Sequence, residues 1–242
     1  YLQSLGLAKG DRVAIMMPNV LQYPIVVAAV LRAGFVVVNI NPLYTVRELE
    51  AQLIDSDARA IVILENFAAT LEQCLARTSV KHVVLAAMGD QLGWLKGMLV
   101  NHVVPNVHAD DLAVLQYTGG TTGVAKGAEL LHRNLMANML QANAWLQPSF
   151  DRIPANEVPT FACPLPLYHI FAFTLNILVS MRMGARSVLI PNPRDLPAVF
   201  KELVKHRIHV FPAVNTLFNA LANHPDFNKV DWSHLVLSIG GG

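Results

Sequence analysis

A chain of 242 residues, 53% hydrophobic and 14% charged, has the composition of a core-rich globular protein, which excludes intrinsic disorder. Its 18 basic and 17 acidic residues leave a formal charge of +1, with no electrostatic footprint for nucleic acid or an anionic membrane. The two cysteines, Cys74 and Cys163, have no metal-type spacing and make a disulfide framework implausible; a reducing, cytoplasmic setting fits them best.

Arg12–Met17 reads as a strand ending at Pro18-Asn19, a turn and cap signal ahead of a helix over Leu21–Ala33. Gly34 stands where a helix C-terminal glycine belongs, and the β-branched run Phe35–Asn39 is the next strand. Thr45-Val46-Arg47-Glu48 matches a capping box and opens a helix to about Asp55. Strand Ala60–Leu64, helix Phe67–Ala76 and strand His82–Ala86 follow, then an irregular stretch over Met88–Asp111. After the apolar strand Leu112–Tyr117 comes a glycine-rich turn, and Pro148–Pro159, with three prolines, reads as a surface loop. The rhythm resumes with strand Thr160–Pro164, helix His169–Met183 ending at Gly184, strand Ser187–Ile190, helix Asp195–His206, strand Ile208–Phe211, helix Asn215–Ala222 and strand Leu235–Ile239. This alternation predicts an α/β fold of mostly parallel sheets with helices on both faces.

No transmembrane segment is read. Val20–Val38 is interrupted by Gln22, Pro24, Arg32 and Gly34, and Ile170–Met181 falls short of the roughly 20 apolar residues a spanning helix needs. Tyr1–Arg12 lacks the apolar core and cleavage site of a signal peptide. Continuous apolar runs are what parallel strands buried on both faces require.

The chemistry concentrates in Thr118-Gly119-Gly120-Thr121-Thr122-Gly123-Val124-Ala125-Lys126-Gly127, where four glycines, three threonines and one lysine fall in ten residues. Glycines let the backbone approach a ligand closely, and successive N–H groups can form an anion-binding concavity. Threonine hydroxyls add phosphate donors and Lys126 a point charge. The turn lacks the Gly-Lys-Ser/Thr of a P-loop kinase or ATPase, and it lacks G-x-G-x-x-G. The remaining bland reading is a flexible glycine-rich surface loop.

Tyr117–Gly127 closely resembles the phosphate-loop signature of the adenylate-forming superfamily, with Gly119 where Ser is common and Ala125 where Pro is common. The first departure removes one hydroxyl and the second leaves the turn less rigid. Tyr-Thr-Gly-Gly-Thr-Thr-Gly-Val-Ala-Lys-Gly is similar to bacterial long-chain fatty acid–CoA ligases, and Leu131-His132-Arg133-Asn134 resembles the family's next motif. Pro166-Leu167-Tyr168-His169-Ile170-Phe171, Asn192-Pro193-Arg194-Asp195, Val214–Leu221 and the terminal Gly240-Gly241-Gly242 resemble further motifs of the acyl-activating enzymes.

The resemblance implies ATP-dependent activation of a long-chain fatty acid to an acyl-adenylate and then acyl-CoA, with Mg²⁺ bridging phosphate oxygens and CoA as co-substrate. It assigns Thr118, Gly119, Gly120, Thr121, Thr122, Gly123 and Lys126 to the polyphosphate, and Gly240, Gly241 and Gly242 to the adenine and acyl pocket. His169, with Asn215 and Thr216, is assigned to the acyl side, and His169 and Lys126 act in catalysis. No residue of the chain is a metal ligand, though Thr121 falls near Mg²⁺. Residues 1–242 are expected to be part of the large N-terminal AMP-binding domain, about 1–104 and 105–242 as interleaved subdomains, with a C-terminal domain beyond Gly242. A longer connection is usual around Val104-Pro105. Long acyl substrates make peripheral membrane contact reasonable, and a homodimer stays open. An aryl-acid or medium-chain ligase, a carrier-protein-loading domain, and a noncatalytic nucleotide-binding fragment remain alternatives.

Bland readings go to the other candidates. His206, His209, His224 and His234 are expected at the surface, Cys74 and Cys163 as packed thiols, Phe218 as ordinary packing, and Met136 and Met139 as parts of a core helix.

Overall fold

The computed structural model describes residues 1–87, 105–118 and 126–241, in two compact units, Tyr1–Leu135 and Met136–Gly242. In the first unit, strands β1 (Arg12–Met16), β2 (Val36–Ile40), β3 (Ala60–Leu64), β4 (His82–Ala86), β5 (Leu112–Thr118) and β6 (Lys126–Leu131) form one sheet in the order β4-β3-β1-β2-β5-β6. All neighbours are parallel except β5 and β6, which are antiparallel. Every residue of β2 and β3 is buried, because helices cover both faces. Leu49 and Leu53 of α2 (Val46–Asp55) and Leu71 of α3 (Ala68–Glu72) pack with Ala14, Met16, Val38, Ile61 and Ile63. On α1 (Gln22–Arg32), the buried Tyr23 reaches Asn39 of β2.

Local signals place the helix ends. The Thr45–Glu48 capping box is formed, and Gly34 follows α1 with φ 75°, a conformation that costs glycine least. The helix expected over Phe67–Ala76 is shorter: α3 is flanked by 3-10 turns at Glu65–Phe67 and Leu75–Arg77.

The second unit is built on a parallel sheet of β7 (Thr160–Cys163), β8 (Arg186–Leu189), β9 (Val210–Ala213) and β10 (Leu237–Gly240), in the order β10-β9-β7-β8. Its core joins Val199, Phe200 and Leu203 of α7 (Leu196–Lys205) and Leu217 and Leu221 of α8 (Asn215–Ala222) with Ala162, Val188, Phe211 and Ala213. Asp195 caps α7 by accepting the Ala198 N–H at 3.1 Å.

Four sequence expectations are corrected. Lys126 and Gly127 belong to strand β6, because their backbone pairs with Thr118 and Tyr117. Strands β5 and β6 therefore belong with the first sheet, and the boundary between units falls inside α4 (His132–Phe150), not near Val104. Pro148 lies within α4, whose last turn is held by buried Phe150 against Phe161 at 6.1 Å, so the expected loop begins only after Phe150. The helix expected over His169–Met183 has three parts: α5 (Ile170–Ala172), a π-helix over Phe173–Val179, and α6 (Ser180–Arg182). No described helix is long and apolar enough to cross a membrane.

Both thiols are packed. Cys74 and Cys163 are buried, and burial pushes both up, Cys163 far out of the reactive range. In a thiol-labelling experiment near neutral pH, the native protein is expected to leave both unmodified and the denatured protein to react at both. Labelling of Cys163 in the native state would contradict its packing.

Candidate functional site

In the first unit, the glycine-rich turn joins antiparallel neighbours. Gln116 pairs with Ala128, Tyr117 with Gly127 and Thr118 with Lys126, so the described ends of the turn are tied across a hairpin. Thr118 closes β5 at the carboxyl end of a strand that runs parallel to β2, and Lys126 opens β6 with an exposed side chain. Open α/β sheets offer ligand sites at this edge. Gly119, Gly120, Thr121, Thr122 and Gly123 lie outside the described residues, as does Gly242.

Gly127, the last glycine of the turn, lies with its backbone under the Tyr117 ring, where an added Cβ would come within 2.9 Å of Tyr117 Cζ. That ring cannot swing away cheaply. It sits in the first core cluster, and its hydroxyl donates to Asp55 Oδ2 at the end of α2. Burial and the Asp55 carboxylate both push the Tyr117 hydroxyl up, so it keeps its proton and remains the donor. Gly127→Ala is expected to destabilise the protein by about 1–3 kcal/mol through overpacking, read as a lowered denaturation midpoint. An unchanged midpoint would show that the ring yields. Asp55 was missed in the sequence because a carboxylate at a helix end reads as an exposed residue.

In the second unit, five of the expected residues share one sheet edge. β7, β9 and β10 are adjacent and parallel, so their carboxyl ends lie together. His169 follows β7, Asn215 and Thr216 follow β9, and Gly240-Gly241 end β10. His169 is exposed and caps α5, its Nδ1 accepting the Phe171 N–H at 3.3 Å. Its Nε2 has no partner among the described residues. Asn215 and Thr216 are exposed on the first turn of α8, above buried Leu217.

Gly241 donates its N–H to the Ala213 carbonyl at 3.3 Å, and a Cβ there would meet Phe171 Cε1 at 3.3 Å. The absence of a side chain therefore lets the Phe171 ring lie on the strand end beside His169. Gly240 has more room, with Phe218 4.0 Å from a built Cβ. Phe218 itself packs edge-on to Phe211, ring centroids 5.6 Å apart, in keeping with the packing role expected for it.

The histidines correct the sequence reading: His206, His224 and His234 are half-buried and His209 is 1% exposed. His209, His234 and Glu157 bring their ligand-type atoms within 4.8 Å of one another. The hydrogen bonds argue against a metal. His209 Nδ1 accepts the Thr160 N–H at 3.1 Å, which leaves the ring proton on Nε2, and Nε2 lies 3.0 Å from Glu157 Oε2. A metal would need the lone pair that this tautomer lacks. The Arg207 guanidinium at 3.4 Å also shares the Glu157 carboxylate. The cluster braces the segment before β7 against the start of β9.

A family model described as "AMP-binding enzyme" matches residues 1–242. The chain is 51% identical, over its whole length, to 48% of the long-chain-fatty-acid–CoA ligase of Salmonella typhimurium. It is 31% identical, again over its whole length, to 48% of the ligase of that name in Bacillus subtilis. The chain thus spans about half the length of these curated relatives. Among solved structures, 97% of the chain superposes on 46% of a long-chain-fatty-acid–CoA ligase from Archaeoglobus fulgidus with TM-score 0.78 and 27% identity. The fold alone is shared with the anthranilate CoA ligase AuaEII, at TM-score 0.83 and 23% identity over 99% of the chain and 46% of that protein.

Proposed function

This chain belongs to the AMP-binding enzyme family, and from that premise we propose that the protein carrying it activates a long-chain fatty acid with ATP. The carboxylate attacks the α-phosphorus, pyrophosphate leaves, and the acyl group then passes to the CoA thiol with release of AMP. The reading is carried by the 51% identity to a long-chain-fatty-acid–CoA ligase across every part of the chain. We place the chain in the large N-terminal domain of that protein, in a cytoplasmic setting, with peripheral membrane contact as the source of its lipid substrate.

In this reading the first unit holds the polyphosphate. The Lys126 ammonium offsets charge on the β- and γ-phosphates, the Thr118, Thr121 and Thr122 hydroxyls donate to their oxygens, and the backbone N–H groups of Gly119, Gly120 and Gly123 complete the cradle. The second unit handles the acid: His169 Nε2 polarises the acyl carboxylate, with Asn215, Thr216 and the Gly240–Gly242 backbone beside the acyl and adenine groups. Mg²⁺, when bound with ATP, would supply further charge neutralisation at the polyphosphate; the Lys126 ammonium at the described end of the turn has no lone pair to offer it, so no described residue is assigned as its ligand.

Acid-dependent ATP–pyrophosphate exchange by the intact protein tests the substrate class. Long-chain acids are expected to support the fastest exchange, ahead of medium-chain and aryl acids. Faster exchange with an aryl acid such as 4-coumarate would replace the fatty-acid reading, and absence of exchange with all acids would leave a noncatalytic nucleotide binder.

A further inference from the structure

Polar side chains run through the interior of the first sheet where the neighbouring strand positions are apolar. The Tyr23 hydroxyl donates to Asn39 Oδ1 at 2.6 Å, Asn39 Nδ2 donates to Gln116 Oε1 at 3.2 Å, and Gln116 Nε2 donates to the Tyr117 carbonyl at 3.3 Å. Gln52 of α2 adds a bond from Nε2 to the Asn39 carbonyl at 2.8 Å. Tyr23, Asn39, Gln52 and Gln116 are all buried. The chain of donors therefore crosses from α1 through β2 to β5 and ends on the residue before Thr118.

Stability alone does not explain this arrangement. Buried amides and hydroxyls cost free energy unless every partner is met, and apolar groups of similar shape can replace a bonded pair at almost no cost. The surrounding positions Val37, Val38, Ile40, Val114 and Leu115 are filled in that apolar way. Hydrogen bonds add direction, which apolar contact lacks, and linked buried bonds hold their members in one arrangement; Gln52 leaves its buried Oε1 without a partner among the described residues, so the direction is carried by the Tyr23–Asn39–Gln116 bonds. Here that direction is delivered to the Tyr117 carbonyl, while the Tyr117 hydroxyl is held by Asp55 and its ring lies on Gly127. Tyr117 is thereby fixed at its backbone, its ring and its hydroxyl, directly at the base of the turn.

We infer that Tyr23, Asn39 and Gln116 are positioning residues for ATP: their hydrogen-bond chain sets the end of β5, and with it the placement of Thr118 and Lys126 toward the polyphosphate. This rests on the reading that residues 118–127 bind ATP. Fixing a turn by supporting bonds behind it is how a binding group is held to the tolerance that recognition needs.

The test uses the intact protein and three variants: the triple Tyr23→Phe/Asn39→Val/Gln116→Leu, which removes donors and acceptors together, the single Tyr23→Phe, and Lys126→Ala as reference. Thermal midpoint, kcat, and the KM values for ATP and for fatty acid are measured in pyrophosphate exchange. The triple variant is expected to fold and to raise the KM for ATP about tenfold, leaving the KM for the acid within about twofold and lowering kcat by less than Lys126→Ala does. A general loosening of the fold would not separate the two substrates. If the triple variant does not fold, Tyr23→Phe carries the test, with an expected rise of about threefold in the KM for ATP alone. An unchanged KM for ATP in the folded variant, while Lys126→Ala loses activity, overturns this inference and leaves the ATP-binding reading standing. Full activity of Lys126→Ala removes both.

Discussion

Lys126→Ala in the intact protein is expected to slow fatty-acid-dependent ATP–pyrophosphate exchange by about 10²–10³-fold, the range seen when one preorganised electrostatic donor is removed. In the proposed reaction, expulsion of pyrophosphate builds negative charge on a group that already carries several, and the role proposed for the lysine is to meet that charge. Its backbone is paired to Thr118 across the hairpin, so the ammonium starts from a defined base even though the side chain is exposed. The same exposure makes the substitution nearly silent for folding, within about 0.5 kcal/mol. A thermal midpoint unchanged beside a large loss of exchange is therefore the diagnostic pair. Lys126→Arg keeps the charge but spreads it over a planar fork, and is expected to recover only part of the rate. Full exchange by Lys126→Ala would show that the polyphosphate is bound elsewhere.

Phe211→Ala is expected to have the largest effect on stability, about 3–5 kcal/mol. Phe211 is 1% exposed in the middle of β9, with Phe218 edge-on at 5.6 Å and the Trp232 ring stacked at 6.3 Å. Truncation leaves a cavity on the side of the sheet that supports α8, and α8 carries Asn215 and Thr216 on its first turn. Trp232 reports the change directly, so denaturant unfolding followed by tryptophan fluorescence gives the loss as a shifted midpoint. A shift worth less than about 1 kcal/mol would mean that the site collapses to fill the space.

Ala60–Leu64, buried on both faces, and the half-exposed edge strand His82–Ala86 both match residue for residue, because a short apolar run between turn signals has few other solutions in an alternating chain. β9 and β10 begin about two residues later than expected. Ile208 and His209 continue the apolar pattern, yet the His209 backbone bonds Thr160 and Val236 at the sheet's entrance and the ladder starts only after it. β6 escaped notice because Lys126–Leu131 has neither alternation nor an apolar run, and its strand character comes from pairing with β5. The candidate site was legible as a list of motifs. What holds them was not: Asn39 takes its bond from Tyr23 16 positions away, Gln116 from Asn39 77 positions away and Asp55 from Tyr117 62 positions away, and nothing in local spacing announces such bonds. The buried state of His209 was hidden for the same reason, since Glu157 lies 52 positions before it.

The wide turn over Phe173–Val179 has a consequence for how this protein can tolerate insertions and deletions. A π segment accommodates one residue more than an α-helix would use over the same axial distance. Losing a single codon within it would let ordinary winding resume over the same axial distance and leave the preceding α5, with the histidine that caps it, close to its present orientation, whereas one residue added to continuous α winding would rotate α5 by about 100°. The wide turn is thus a margin of tolerance for His169: lineages that lose one residue there can keep the imidazole at the same sheet edge without a compensating change elsewhere.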